Sequence, residues 1–178
     1  TTQIVLDQLW MMRYHENLPR IQTGIIRRGR KVFGFVTTAN QPELYSCGKV
    51  LSPGEILVYD HEISHFKSEG GFSSATMSLP IEEFAAASIA INGREFPDAP
   101  TRQHVRPNSA LMERLLRQHE MVGQMANTKP DLFAKTEVVR ALEQQLVYTL
   151  VRCLTEGSPS KTTASTLRHE LLIARFED

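Results

Sequence analysis

From Thr2 to about Leu79, apolar and polar side chains alternate with a period of two, in short runs. "TTQIVLDQLWMMRYH" sets Ile4 and Leu6, then Leu9 and Met11, against polar neighbours; "RIQTGII" and "KVFGFVTT" flank the turn Arg27-Arg28-Gly29-Arg30. "CGKVL", "EILVYD" and "FSSATMSL" follow, separated by Gly, Pro, Asn and Ser clusters. Successive side chains of a strand point to opposite faces, so each run predicts a half-buried strand. Strands recurring every roughly eight to twelve residues predict an antiparallel sandwich or barrel.

The period then changes. "LPIEEFAAASIAIN" begins a helix at Pro80, with Glu82 and Glu83 complementing the dipole of its first turn. "PNSALMERLLRQHEMVGQMAN" places Leu111, Leu115, Val122 and Met125 at helical spacing behind an Asn108/Ser109 cap. Past the break at Asn127-Thr128-Lys129-Pro130, Thr128 and Asp131 form a variant capping box for a third helix. In it Leu132, Val139, Leu146 and Cys153 repeat every seven residues with Leu142 and Leu150 between, a coiled-coil-like seam. The fold class is therefore α+β: a β unit over 1–79, a helical segment over 80–156, a polar linker over 157–163 and a further amphipathic helix begun over 164–178. The chain opens without methionine and stops inside that last helix, which reads as a piece of a longer protein.

Twenty basic and twenty acidic residues cancel, so the chain lacks the overall positive field of an autonomous nucleic-acid binder. Two cysteines, Cys47 and Cys153, sit in unlike segments, form no metal spacing, and suit a reducing cytoplasm. No apolar run is long enough to span a membrane. One motif demands a decision. "HEISH", His61 to His65, matches the H-E-x-x-H signature of zinc peptidases, which carries chemistry on a helix, where two imidazoles share a face. Here Glu55 to Tyr59 reads as a strand before it, and Gly70-Gly71 ends any helix behind it. On a strand the two histidines stand roughly 13 Å apart, and only a tight turn at Glu62 would bring them together. Asp60 and Lys67 also spoil the apolar flanks of a zinc helix. No Gly-x-Ser-x-Gly elbow or phosphate-cradling glycine loop occurs, and His104, His119 and His169 have no partner at metal spacing.

A β-rich unit containing "LSPGEILV", then "LPIEEFAAA", two long helices, a polar linker and "RHELLIARFED" resembles the N-terminal sensor half of AraC-type bacterial transcription regulators. The likeness runs from about Leu9 to Phe176. It implies a cupin-like β-barrel, dimerising helices, and a C-terminal DNA-binding domain with two helix-turn-helix motifs that this chain lacks. It also implies a homodimer, a small-molecule effector, DNA as a partner through the missing domain, no cofactor and no reaction. Cupin enzymes hold metal with a His-x-His pair on one strand, yet "RIQTGIIRRGRKVFGFV" has no histidine. The alternative is a cupin-like metal-dependent enzyme that draws ligands from His61 and His65.

Candidate residues each carry two readings. Tyr59, His61, His65 and Phe66 either line a barrel mouth or are rim residues. Trp10, Met12, Phe33, Phe35 and Met77 either point into a pocket or form core. The Arg27–Lys31 tip either meets an acidic partner or keeps an exposed turn solvated. The Leu132, Val139, Leu142, Leu146, Leu150 and Cys153 seam either joins a symmetric dimer or packs within one chain. A register error of one residue inverts any pocket list.

Overall fold

A computed structural model describes residues 1–59, 63–97 and 103–160. The strands are β1 (Thr2–Val5), β2 (Trp10–Glu16), β3 (Arg20–Ile25), β4 (Arg30–Val36), β5 (Leu44–Ser46), β6 (Lys49–Val50), β7 (Ile56–Tyr59), β8 (Ile63–Ser68) and β9 (Phe72–Pro80). Helix α1 (Ile81–Asn92), strand β10 (Gln103–Arg106), helix α2 (Ser109–Thr128), helix α3 (Thr136–Thr155) and strand β11 (Ser158–Pro159) follow.

Two antiparallel sheets form. The larger has the order β1-β2-β9-β4-β7-β10-β11 and the smaller β3-β8-β5-β6. Strands β3 and β4 flank the Arg27–Arg30 turn, yet they join different sheets: β3 pairs with β8, β4 with β7 and β9. In the larger sheet Met11 lies opposite Met77 and Phe33 opposite the same Met77; Met12 and Gly34 both lie opposite Thr76. Because strand side chains alternate, this register sorts the sheet into two unlike faces. Odd-numbered residues of β2, β4 and β9 face the helices, where Met11, Phe33, Phe35 and Met77 join Leu115, Val122, Leu146 and Leu150 in one core. Even-numbered residues face the smaller sheet, against a second cluster built from Val36, Leu44, Leu51, Leu57, Tyr59 and Phe72.

The helices begin and end for local reasons. Pro80 precedes α1, and Gly93, in the left-handed region at φ 74°, closes it with its N–H donating to Ile89 O at 2.8 Å. Asn108 caps α2, its Oδ1 accepting from Ala110 N at 2.9 Å. Two expectations differ from what is found. The third helix starts at Thr136, not Asp131: Pro130–Ala134 forms a 3-10 turn and Lys135 is extended at φ −95°, ψ 110°. Thr128 makes no capping box; its hydroxyl donates to Gln124 O at 2.8 Å inside α2. Strand β10 falls in a stretch that the alternation did not mark, because four residues between prolines are too short to show a period.

The heptad stripe of α3 is used inside the chain. Leu142, Leu146, Leu150 and Cys153 are buried in the helix-facing core, Val139 packs against it, and Leu132 sits half-buried in the 3-10 turn. A helix laid on a sheet and a second helix needs the same apolar stripe as a coiled coil, so the pattern alone does not name its partner. No helix among the described residues is long and apolar enough to cross a membrane. The proposed linker over 157–163 is described only to Ser160, and the expected terminal helix over 164–178 lies outside the described residues.

Candidate ligand cavity

Between the two sheets lies a cavity of about 280 Å³. Its walls come from alternate positions: Trp10, Met12 and Tyr14 of β2, Arg30 and Val32 of β4, Thr76 and Ser78 of β9. Tyr59 of β7, Gln22 of β3, and Ser64 and Phe66 of β8 complete the enclosure from the other side. A smaller cavity of about 70 Å³ adjoins it, sharing Tyr14, Gln22, Tyr59, Phe66 and Thr76 and reaching Leu44, Leu51 and Phe72. The larger is at the low end of the roughly 300–1,000 Å³ range of ligand sites, so a small molecule suits it.

Local sequence explains the opening. A Cβ on Gly34 would meet Tyr59 Oη at 2.7 Å and Cε2 at 2.9 Å, so glycine there lets the Tyr59 ring lie across β4. Thr76 and Ser78 are small where Met77 and Leu79 beside them on the other face are large. The Tyr14 hydroxyl donates to Met12 Sδ at 3.1 Å, and burial raises its pKa against a hydrogen bond with Thr76 that lowers it.

At the rim, the Arg30 guanidinium stacks 3.9 Å above the Trp10 ring, and Arg27 stands 5.3 Å from the same ring. Arg30 is fixed: Nη2 donates to Gln8 O and to Ser78 O, both at 2.6 Å, and Nε donates to Ser78 Oγ at 2.9 Å. Burial lowers the Arg30 pKa, Arg27 lowers it further and Glu143 opposes both; a guanidinium keeps its proton regardless.

Of the residues proposed from the chain alone, Trp10, Met12 and Tyr59 come together here. Phe33 and Met77 point to the other face of the sheet; the Phe33 ring packs 4.9 Å from Phe84 of α1. Phe35 touches the smaller cavity, but its ring lies in the helix-facing core, edge-on to His119 of α2 at 5.5 Å. Their placement in a pocket fails by one residue of register. His65 is exposed on the outer face of β8, its Nδ1 3.1 Å from Thr23 Oγ1, because Ser64 and Phe66 take the inward positions. The second histidine of "HEISH" is thus on a strand, not a zinc helix; His61 lies outside the described residues. Among the described residues no group of three His, Cys, Asp or Glu side chains could hold a metal ion. Tyr14, Arg30, Thr76 and Ser78 were missed. The signal for Thr76 and Ser78 was small polar residues alternating with Met77 and Leu79 along β9; Tyr14 and Arg30 carried no such signal.

Two buried polar groups lie outside the cavity lining, His119 behind Thr76 and Glu55 beside β10. His119 is fully buried, with Nδ1 3.3 Å from Arg13 Nη1 and Nε2 3.5 Å from Thr76 O; burial, then Arg13, pushes its pKa down to about 4. Arg13 also pairs with Glu120. Glu55 accepts from Ser160 Oγ at 2.6 Å and Arg106 Nη2 at 2.9 Å, with His104 Nδ1 at 3.4 Å. Burial alone would raise its pKa, but the His104, Ser160 and Arg106 hydrogen bonds outweigh it and hold the carboxyl at about 2.

No family model and no curated protein sequence matches the chain. The structure is similar to the crystal structure of the AraC-like transcriptional activator CuxR, with a TM-score of 0.57 and 11% sequence identity. The match covers 97% of this chain and 62% of that one. What is shared is the fold. This chain spans less than two thirds of that structure's length, and at such identity no side chain of the cavity is carried over.

Proposed function

We propose that this chain is the sensing part of a longer AraC-like transcription regulator, and that the cavity between its cupin-like sheets holds a small-molecule effector. The observation that carries this reading is the cavity: a half-open space between the two sheets, walled by aromatic and apolar side chains, with a few fixed polar groups at its rim. The fold likeness to a transcriptional activator supports it independently. The role is binding, without a reaction. Output passes to a helix-turn-helix domain beyond this chain, and a homodimer presents two such domains to DNA half-sites at fixed spacing. With the α3 stripe buried, the partner meets other residues; Met121 and Tyr148 are the exposed large apolar side chains of α2 and α3.

Thr76 offers a route from effector to helix. Its side chain lines the cavity, while its carbonyl oxygen faces His119 of α2. An effector that binds one arrangement of β9 and α2 better than another shifts the population between them. Trp10 is the single tryptophan, so intrinsic fluorescence reads the cavity directly. A small-molecule screen should find a ligand that changes this emission saturably and raises the melting temperature, by roughly 2.7 kcal/mol of added stability at a hundred times Kd. A melting shift without a Trp10 change would place the ligand elsewhere and end this reading of the cavity.

A further inference from the structure

We infer that the cavity selects a small organic acid, its carboxylate seated at Arg30 and Arg27 and its compact apolar body held by Met12, Val32, Tyr59 and Phe66. The inference rests on the sensing reading above and adds the ligand's chemistry. Three observations carry it. First, Arg30 is held by its Nε and Nη2 donors, so its planar fork is rigid, and neither Nη1 donor has an acceptor among the described residues. Second, two guanidinium groups share one indole, yet no described residue lining the cavity is acidic and no described carboxylate lies within ion-pair distance of either. Glu143, the carboxylate that acts on Arg30 from a distance, is engaged elsewhere: it accepts from Gln8 N at 2.8 Å and Leu9 N at 3.0 Å. Third, the remaining wall is apolar or neutral, which suits a hydrocarbon or aromatic body and no second charge. A rigid guanidinium with no described carboxylate in ion-pair distance, at the mouth of an apolar cavity, is an anion receptor, since charge-assisted pairs to a carboxylate are stronger than neutral ones.

The test uses the chain as it stands and three probes of one skeleton: phenylacetate, phenylacetamide and 2-phenylethanol. Each is titrated against Trp10 fluorescence at neutral pH. Phenylacetate should bind roughly tenfold tighter than either neutral probe, and its affinity should fall with added salt. Arg30→Gln should bring phenylacetate down to the affinity of the two neutral probes measured on the same variant. Arg27→Gln, whose side chain makes no hydrogen bond to another element among the described residues, should reduce the preference with less disturbance of the fold. Equal binding of acid, amide and alcohol would overturn the anion proposal and leave the cavity as a ligand site. A preference that survives both substitutions would overturn the assignment to these arginines. Binding of none of the three would count against both the acid and the cavity.

Discussion

On the helix-facing side of the larger sheet, Met11, Phe33, Phe35 and Met77 are at most 1% exposed, whereas Met12, Val32, Gly34 and Thr76, one residue away on the same strands, border open space. Both faces are enclosed by protein. They differ in how well the side chains fill the room. Interiors normally pack to the density of organic crystals, so space left between two sheets is a departure that needs a cause. Here the cause is residue size: glycine, threonine and serine stand where the other face carries phenylalanine and methionine. One face therefore supplies stability, and the other gives up some of it by leaving open volume between the sheets.

The sharpest way to break that comparison is to truncate neighbours on opposite faces. Met11→Ala empties a filled core and should cost about 2–5 kcal/mol in urea unfolding, while Met12→Ala enlarges an existing hole and should cost roughly 1 kcal/mol. Equal losses would mean that the two faces are packed alike. A second effect, on the order of 3 kcal/mol, belongs to His119. Its folded pKa of about 4 lies below the ordinary 6.5, so the folded state resists taking a proton that the unfolded chain accepts. Stability is full above pH 6.5 and falls as pH drops from there to about 4, levelling off below that value. Unfolding of the unaltered chain and of His119→Gln at pH 7 and pH 5 checks this; the variant should lose most of the difference. A third effect, below that at His119, is at Gly34. Gly34→Ala must push the Tyr59 ring off β4, costing about 1–3 kcal/mol and narrowing the cavity, which thermal unfolding and Trp10 emission would both register.

Much of the fold was legible in the chain. Alternation over 1–79 marked most of the strands but not β5 or β8, Pro80 and the Asn108 cap marked the starts of two helices, and the glycines after "HEISH" argued against a zinc helix. Trp10, Met12 and Tyr59 line one cavity. Arg30 was not placed with them, because a basic turn looks the same whether it is solvated or folded back over an indole. Phe33, Phe35 and Met77 were placed with Trp10 because all are large and apolar, a property that does not say which way a side chain points. The α3 seam suggested a partner chain for the same reason: the stripe was correct and its neighbour was not specified.

The sequence by itself determined the periods, and with them the elements: two for the strands, 3.6 for the helices, with caps and prolines marking several of the boundaries. Only the tertiary structure decided which set of alternate residues faces helices and which faces the second sheet. A period of two is symmetric between its faces, and that symmetry is broken only when β4 docks between β7 and β9 while β3, its neighbour in the chain, joins the other sheet.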